Sequence, residues 1–249
     1  MSQRLSKKIF HICMIIVIIV TIVFAALILV LGYRENGETN MPFNLSKMTI
    51  ISTIDGKDIE DSEHRWNLDV TQNNDLYLYI SKNENYKKTE IIKNVTINNI
   101  QIENPKIGDI TIYKPSQNEN AITKNIDENI SDEIIFTGDK QTNIRDLKIS
   151  NQGGVIAFRC TNNKVGNFIS NDEEVLDYKN LITKLNLNEN DLQARICFDI
   201  TIELNSGKKY KAESVEAKFP IEGIKEQGTA SLELTDLDAI IFKRITNKN

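Results

Sequence analysis

Histidine is nearly missing from this chain. Of 249 residues only His11 and His64 are histidine, and His11 lies in an apolar stretch, so a histidine-rich metal site is excluded within one chain. Cysteine occurs at Cys13, Cys160 and Cys197 with no C-x-x-C pair, which excludes zinc ribbons and thioredoxin-like dithiol chemistry. Glycine (11) and proline (4) are scarce, which rules out collagen-like or broadly disordered character. Walker A loops and dinucleotide glycine fingerprints are absent. Basic charge is also short beyond the N-terminus: residues 32–249 hold 27 basic against 35 acidic residues, a balance of -8. Such a domain is a poor binder of phosphate backbones, so nucleic acid is not an expected partner.

What is present begins with an apolar run. Ile9 to Leu31 is 23 residues without a formal charge, and about 20 apolar residues in a helix cross a bilayer core. A cleavable signal peptide has a shorter apolar region and a small-x-small cleavage site, whereas this run ends Leu31-Gly32-Tyr33-Arg34. The sequence therefore predicts an uncleaved transmembrane helix over 9–31. Arg4, Lys7 and Lys8 precede it, while Arg34 on the far side is offset by Glu35 and Glu38. The positive-inside rule then gives a cytoplasmic tail over 1–8 and an extracytoplasmic remainder. His11 and Cys13 read as ordinary residues close to the interface. Residues 32–44, polar with two glycines and a proline, are expected to be a tether.

From residue 45 to 249 the dominant period is two. Between Arg195 and Leu204, Ile196, Phe198, Ile200, Ile202 and Leu204 alternate with Arg195, Cys197, Asp199, Thr201 and Glu203, the signature of a half-buried antiparallel strand. Asn205-Ser206-Gly207-Lys208 and the run Lys209–Phe219 make it a hairpin. Further strands are predicted at Met48–Ile54, Trp66–Thr71, Leu76–Ser81, Ile91–Ile102, Ile110–Tyr113, Glu133–Thr137, Leu147–Ser150, Val155–Cys160, Thr229–Thr235 and Ala239–Arg244. So many short strands predict an all-β, antiparallel β-sandwich of jelly-roll or Ig-like type. One short helix is expected after the capping box Ser170-Asn171-Asp172-Glu173, with Val175, Tyr178, Ile182 and Leu185 as its apolar stripe. Residues 115–131 lack a period and read as a long loop. Ile92–Asn99 and Ile144–Asn151 match in residue type, each followed by a glycine and another strand. This echo predicts two similar strand-turn-strand units, one in each sheet.

Trp66-Asn67-Leu68-Asp69-Val70, Asn73-Asn74-Asp75-Leu76-Tyr77 and Asn151-Gln152-Gly153-Gly154-Val155-Ile156-Ala157-Phe158-Arg159 give the layout its character. It resembles uncharacterised single-pass envelope proteins of low-GC Gram-positive bacteria. The resemblance implies location at the cell membrane and no activity.

Several residues invite chemistry. His64, Cys160 and Arg195 occur in the order of a sortase-like transpeptidase, as acid or base, nucleophile and oxyanion partner. However, no arginine lies between Cys160 and Arg195, and Phe158-Arg159 stands where a Thr-Leu-x-Thr lead-in belongs. Cys160 instead continues the inward face of Ile156 and Phe158, as a small core residue. It is not expected to form a disulfide with Cys197, which shares the outward face of Arg195 and Asp199. Ser206 and Lys209 match S-x-x-K but fall at the hairpin turn. Asp55, Asp58, Glu60 and Asp61, and separately Asp236 and Asp238, are oxygen-rich without EF-hand spacing. Trp66, Tyr77 and Tyr79 suggest a sugar platform, although Leu76, Leu78 and Ile80 alternate with the tyrosines and place that strand centrally, covered on both faces. Asn44, Asn94 and Asn129 head Asn-x-Ser/Thr triplets of the kind expected by chance in an asparagine-rich chain.

No catalytic, metal or cofactor residue is therefore assigned. The sequence predicts a membrane-anchored extracytoplasmic β-sandwich with a non-catalytic binding or structural role at the cell envelope. Its partners are the bilayer and another envelope protein. The alternatives are an extracellular cysteine or serine enzyme of the sortase kind, and an accessory subunit docking through its helix, where Ala25-Ala26 would pack without a G-x-x-x-G motif.

Overall fold

The computed structural model describes residues 13–25, 41–60, 65–113, 133–138, 147–171, 175–237 and 239–245. Among the described residues eleven strands are formed: β1 Phe43–Asp58, β2 Asn67–Lys82, β3 Ile92–Glu103, β4 Asp109–Tyr113, β5 Glu133–Gly138, β6 Leu147–Ile149, β7 Gly154–Ile169, β8 Arg195–Leu204, β9 Lys209–Lys218, β10 Thr229–Leu234 and β11 Lys243–Ile245. They make a five-stranded sheet, β10-β1-β2-β7-β4, and a six-stranded sheet, β11-β9-β8-β3-β5-β6. Every pairing is antiparallel except β5 with β6, which is parallel, so the expectation of purely antiparallel sheets is corrected at that edge.

The two sheets face each other across one apolar core. The alternation in β8 puts Ile196, Phe198, Ile200, Ile202 and Leu204 fully inside, where they meet Leu76, Leu78, Ile156 and Phe158 of the other sheet. Phe158 and Phe198 join the sheets edge-to-face with ring centroids 5.7 Å apart, an arrangement worth about 1 kcal/mol beyond burial.

β1, β2 and β7 are each 16 residues long, longer than this core. Their far ends bury a second cluster of Ile54, Leu68, Val70 and Val165 against the short helices Leu181–Lys184 and Ile224–Gln227, through Leu181, Ile182 and Ile224. Between the two clusters the inward positions turn polar: Ser52, Gln72, Asn74 and Asn162 are all fully buried.

Several expectations change here. Trp66–Thr71 and Leu76–Ser81 are one continuous strand, because Gln72-Asn73-Asn74-Asp75 is satisfied across the sheet. Val155–Cys160 likewise runs on to Ile169. Ser170 caps no helix; its hydroxyl accepts the Trp66 N–H at 2.7 Å and its own N–H bonds the Trp66 carbonyl at 2.9 Å. The helix shrinks to a 3₁₀ turn at Tyr178–Asn180, capped by Asp177 through the Lys179 N–H, followed by Leu181–Lys184. Val175, assigned to the apolar stripe, is 86% exposed, and Leu181 takes the buried place. Ala239–Arg244 yields only the short β11. Met41 and Phe43 fall within the stretch read as tether, yet both are buried in the core. The loop over 115–131 lies outside the described residues.

The internal echo changes in kind. β3 and β6 both lie in the six-stranded sheet, and β4 and β7, which follow them, pair with each other in the five-stranded one. Each unit thus crosses between the sheets, one through Gly108 (φ 91) and the other through Gly153 (φ 104).

Residues 13–25 are helical and exposed throughout. Among the described residues no helix is long and apolar enough to cross a membrane.

Candidate functional site

The three residues in sortase order are not assembled. Cys160 lies fully buried on the inner face of β7, and burial, with a further push from the Asp75 charge, drives its thiol far above the ordinary range. A thiol held neutral is a poor nucleophile. Arg195 is on the outer face of the opposite sheet, 3.7 Å from both Glu103 and Glu216. His64 lies outside the described residues. Cys160 and Cys197 are free thiols on different sheets.

The other candidates disperse as well. Ser206 sits exposed in the β8–β9 turn, and Lys209 reaches Glu203. Asp58 accepts the Glu60 and Asn67 N–H groups at 3.2 and 3.3 Å, Asp55 accepts the Gly56 N–H, and Glu60 pairs with Arg65. Asp61 and Asp238 fall outside the description. Among the described residues no three His, Cys, Asp or Glu gather as a metal-binding group. Trp66 and Tyr77 are 11 positions apart along one extended strand, about 35 Å at 3.3 Å per residue, so no aromatic platform forms. Tyr77 and Tyr79 are half-buried on the outer face of β2, with Lys47 Nζ 4.3 Å above the Tyr79 ring. The strand is thus solvated on that face, and not covered on both. Asn44 and Asn94 are half-buried in strands, and Asn129 lies outside the description.

What the fold does gather is a polar cross-section through the middle of the five-stranded sheet. On the inner face Ser52 Oγ donates to Asn74 Oδ1 at 2.6 Å, Gln72 Nε2 donates to the same oxygen at 3.3 Å, and Asn74 Nδ2 reaches the Cys160 carbonyl at 3.1 Å. Asn162 Nδ2 donates to Gln72 Oε1 and to the Ile107 carbonyl, while its buried Oδ1 lacks a hydrogen-bond donor. On the outer face Arg159 clasps Asp75 in two parallel bonds of 2.5 and 2.7 Å, and Thr161 donates to Asn73 at 2.9 Å. Burial raises the Asp75 pKa, and the Arg159 bond and charge only partly oppose it. Burial, and then the Asp75 charge, also raise that of Tyr77. The charges answer each other, so the cross-section holds register and presents no free base. Sequence reasoning passed over Asp75 and Arg159, since pairing them requires the β2–β7 register; their opposite signs on the outward parity were the available signal.

A second constellation centres on Asp199, an outward position that is nonetheless buried. Asn99 in β3 (φ 51) and Ser214 in β9 (φ 55) both take the left-handed conformation at register shifts opposite it. The Asp199 carboxylate accepts from Lys211 Nζ at 2.8 Å, the Ser214 N–H at 2.9 Å and Asn99 Nδ2 at 3.3 Å. Burial pushes its pKa up, but the Lys211 bond, the Ser214 N–H, the Lys211 charge and the Asn99 amide together bring it below the ordinary value. Beside it, Lys211, Glu213 and Lys243 rim a groove floored by Ala239, Ile241 and Ile245, about 260 Å³ in volume. That is below the roughly 300–1,000 Å³ of sites that enclose small molecules.

No protein-family model, curated protein or solved structure matches the chain.

Proposed function

We propose that the chain is a single-pass membrane protein, anchored by residues 9–31 with its N-terminus in the cytoplasm, whose two-sheet domain is an external β-sandwich acting by binding or as a structural component of the cell envelope. The observation that carries this reading is the helix over 13–25. Its large apolar residues, from Met14 to Phe24, are each 46–66% exposed on every side of the helix, with no core to receive them. A helix apolar all round needs a non-aqueous environment. Arg4, Lys7 and Lys8 ahead of it supply the orientation. The buried neutral Cys160 and the mutually satisfied Asp75–Arg159 pair favour a binding or structural role over catalysis.

The test is topology. In a Cys13→Ser, Cys197→Ser background, a membrane-impermeant thiol reagent applied to intact cells is expected to label an introduced Asn36→Cys and not Ser2→Cys. Labelling at Ser2→Cys from outside reverses the orientation. Release of the protein by alkaline carbonate removes the anchor from the proposal.

A further inference from the structure

Among the described residues four strands end the two sheets: β10 and β4 in one, β11 and β6 in the other. An open edge is a row of unpaired backbone donors and acceptors, which folded chains usually shorten, charge or interrupt. β11 and β6 are three residues each, with Lys243 and Arg244 in the first and Lys148 in the second. β4 runs on into residues outside the description. β10 carries none of these safeguards. It has six residues without proline or a basic side chain, and its register with β1 is unbroken from Met48 to Thr53.

The hydrogen-bond phase shows which backbone groups of β10 are open. The Ile54 N–H bonds the Gly228 carbonyl at 2.7 Å, and in an antiparallel pair such bonds recur at every second residue. Ala230, Leu232 and Leu234 therefore bond to β1, whereas Thr229, Ser231 and Glu233 turn their N–H and C=O groups away from it. The other side of β1 agrees: the Ile59 N–H bonds the Asn67 carbonyl, which assigns the odd-numbered residues from Ile59 back to Thr49 to β2. Thr229, Ser231 and Glu233 are exposed, and no described residue is hydrogen-bonded to their outward backbone groups. Glu233, the one charge in the strand, is paired with Lys47 at 3.1 Å. Leu232 and Leu234, on the core face, are only partly buried.

We infer that β10 pairs antiparallel with β10 of a second copy, joining two five-stranded sheets across a two-fold axis. Any extended segment could use the backbone groups; the match of this strand to itself is what points to a second copy. The two-fold register that engages all three outward residues places Ser231 opposite Ser231 and Thr229 opposite Glu233, and any other engages fewer. In that register no like charges meet within the strands, and two small side chains face each other at the axis. Ala230 falls beside Leu232 of the other copy on the core face, so the apolar layer continues from one domain into the next. The inference goes beyond the binding reading above and does not use the anchor.

The test is disulfide trapping of the full chain in zwitterionic detergent, in a Cys13→Ser, Cys197→Ser background that leaves the fully buried Cys160. Under a mild copper oxidant, Ser231→Cys is expected to give a covalent dimer at least tenfold faster than Ser206→Cys, an exposed control in the β8–β9 turn. Association through the N-terminal helix would raise both alike. A mixture of Thr229→Cys and Glu233→Cys chains should also trap, while either alone should stay near the control. Adding Ser231→Pro to that mixture removes only an outward N–H, leaves the β1 ladder in place and should abolish trapping. If the proline lowers the melting temperature, Ser231→Lys, which sets two ammonium groups face to face, decides instead. Equal rates for Ser231→Cys and Ser206→Cys, faster trapping of Glu233→Cys with itself than of Ser231→Cys, or trapping of the mixture that survives the deciding substitution overturns the inference.

Discussion

Asp199 shows how much one side chain can organise. Its carboxylate serves two backbone irregularities on neighbouring strands, binding the Ser214 N–H on one side and Asn99 on the other, with Lys211 as counter-charge. Replacing it with alanine leaves the Ser214 N–H without its acceptor and Lys211 with only Glu213, at 3.5 Å, a loss of about 1–3 kcal/mol. Asp199→Asn keeps the volume but loses the charge, and chemical denaturation at pH 7 should find it less stable than wild type. The pH dependence has a definite sign. Because the folded pKa of Asp199 is lowered, its stabilisation is present above the unfolded carboxyl pKa, about 3.9, and is lost as pH falls below that through the folded value. The stability difference between wild type and Asp199→Asn should therefore narrow on going from pH 7 to pH 3. Asp75 acts in the opposite direction, since its raised pKa favours the fold at low pH. A constant difference across this range would mean that the carboxylate charge is not what Asp199 contributes.

At the scale of the element, the β8–β9 hairpin was legible and the long strands were not. Every apolar residue from Ile196 to Leu204 is inside as the alternation requires, and Gly207 (φ 83) makes the turn. In β2 the same rule failed at Gln72-Asn73-Asn74-Asp75, because four polar residues in a row look like a turn until partners are known. Those partners, Ser52, Asn162, Thr161 and Arg159, come from strands far away in sequence. The capping box at Ser170 failed for a related reason: a hydroxyl suited to a helix start was claimed by the Trp66 N–H across the sheet. The two crossings between sheets depend on glycine in a way that can be measured. A Cβ on Gly108 would lie 2.0 Å from Asn162 Oδ1 and 2.5 Å from the Asn163 carbonyl oxygen; on Gly153 it would lie 2.5 Å from the Ile80 carbonyl oxygen. Positive φ adds about 1–2 kcal/mol for any residue with a Cβ. Gly108→Ala and Gly153→Ala should each lower stability by more than this, whereas Gly207→Ala, with open space around it, should lose only the conformational part. Thermal melts of the three variants rank them, and equal losses at all three would mean that backbone conformation alone matters.

For the whole molecule, the boundary of the domain lies earlier than its period-two pattern begins. Met41 and Phe43 are almost wholly buried, and Asn83 fastens this start through its Nδ2 to the Met41 carbonyl and its N–H to the Pro42 carbonyl, each at 2.8 Å. Two such side chains contribute about 1.5–3 kcal/mol each, a large part of the roughly 5–15 kcal/mol that holds a domain together. A chain beginning at Met41 should fold to full stability, and one beginning at Leu45 should lose several kcal/mol in urea denaturation. Equal midpoints would show that Met41 and Phe43 are dispensable. The candidate surfaces were less readable than the fold, because they are made of side chains brought together by register. Asp75 and Arg159 are 84 positions apart, and Asn99 and Asp199 are 100.

The pairing of β1 with β10 puts Met48 opposite Leu234. The outer edge of the first strand thus waits for a segment made 186 residues later (234 against 48), and at roughly 5–20 residues per second that interval is on the order of 10–40 s. Throughout it β1 offers an unpaired, isoleucine-rich edge to whatever lies nearby. A ribosome or translocation channel that delivers this chain from its N-terminal side delivers a sheet that cannot close until β10 has followed β1 out, so the nascent domain depends on protection that the finished one does not need.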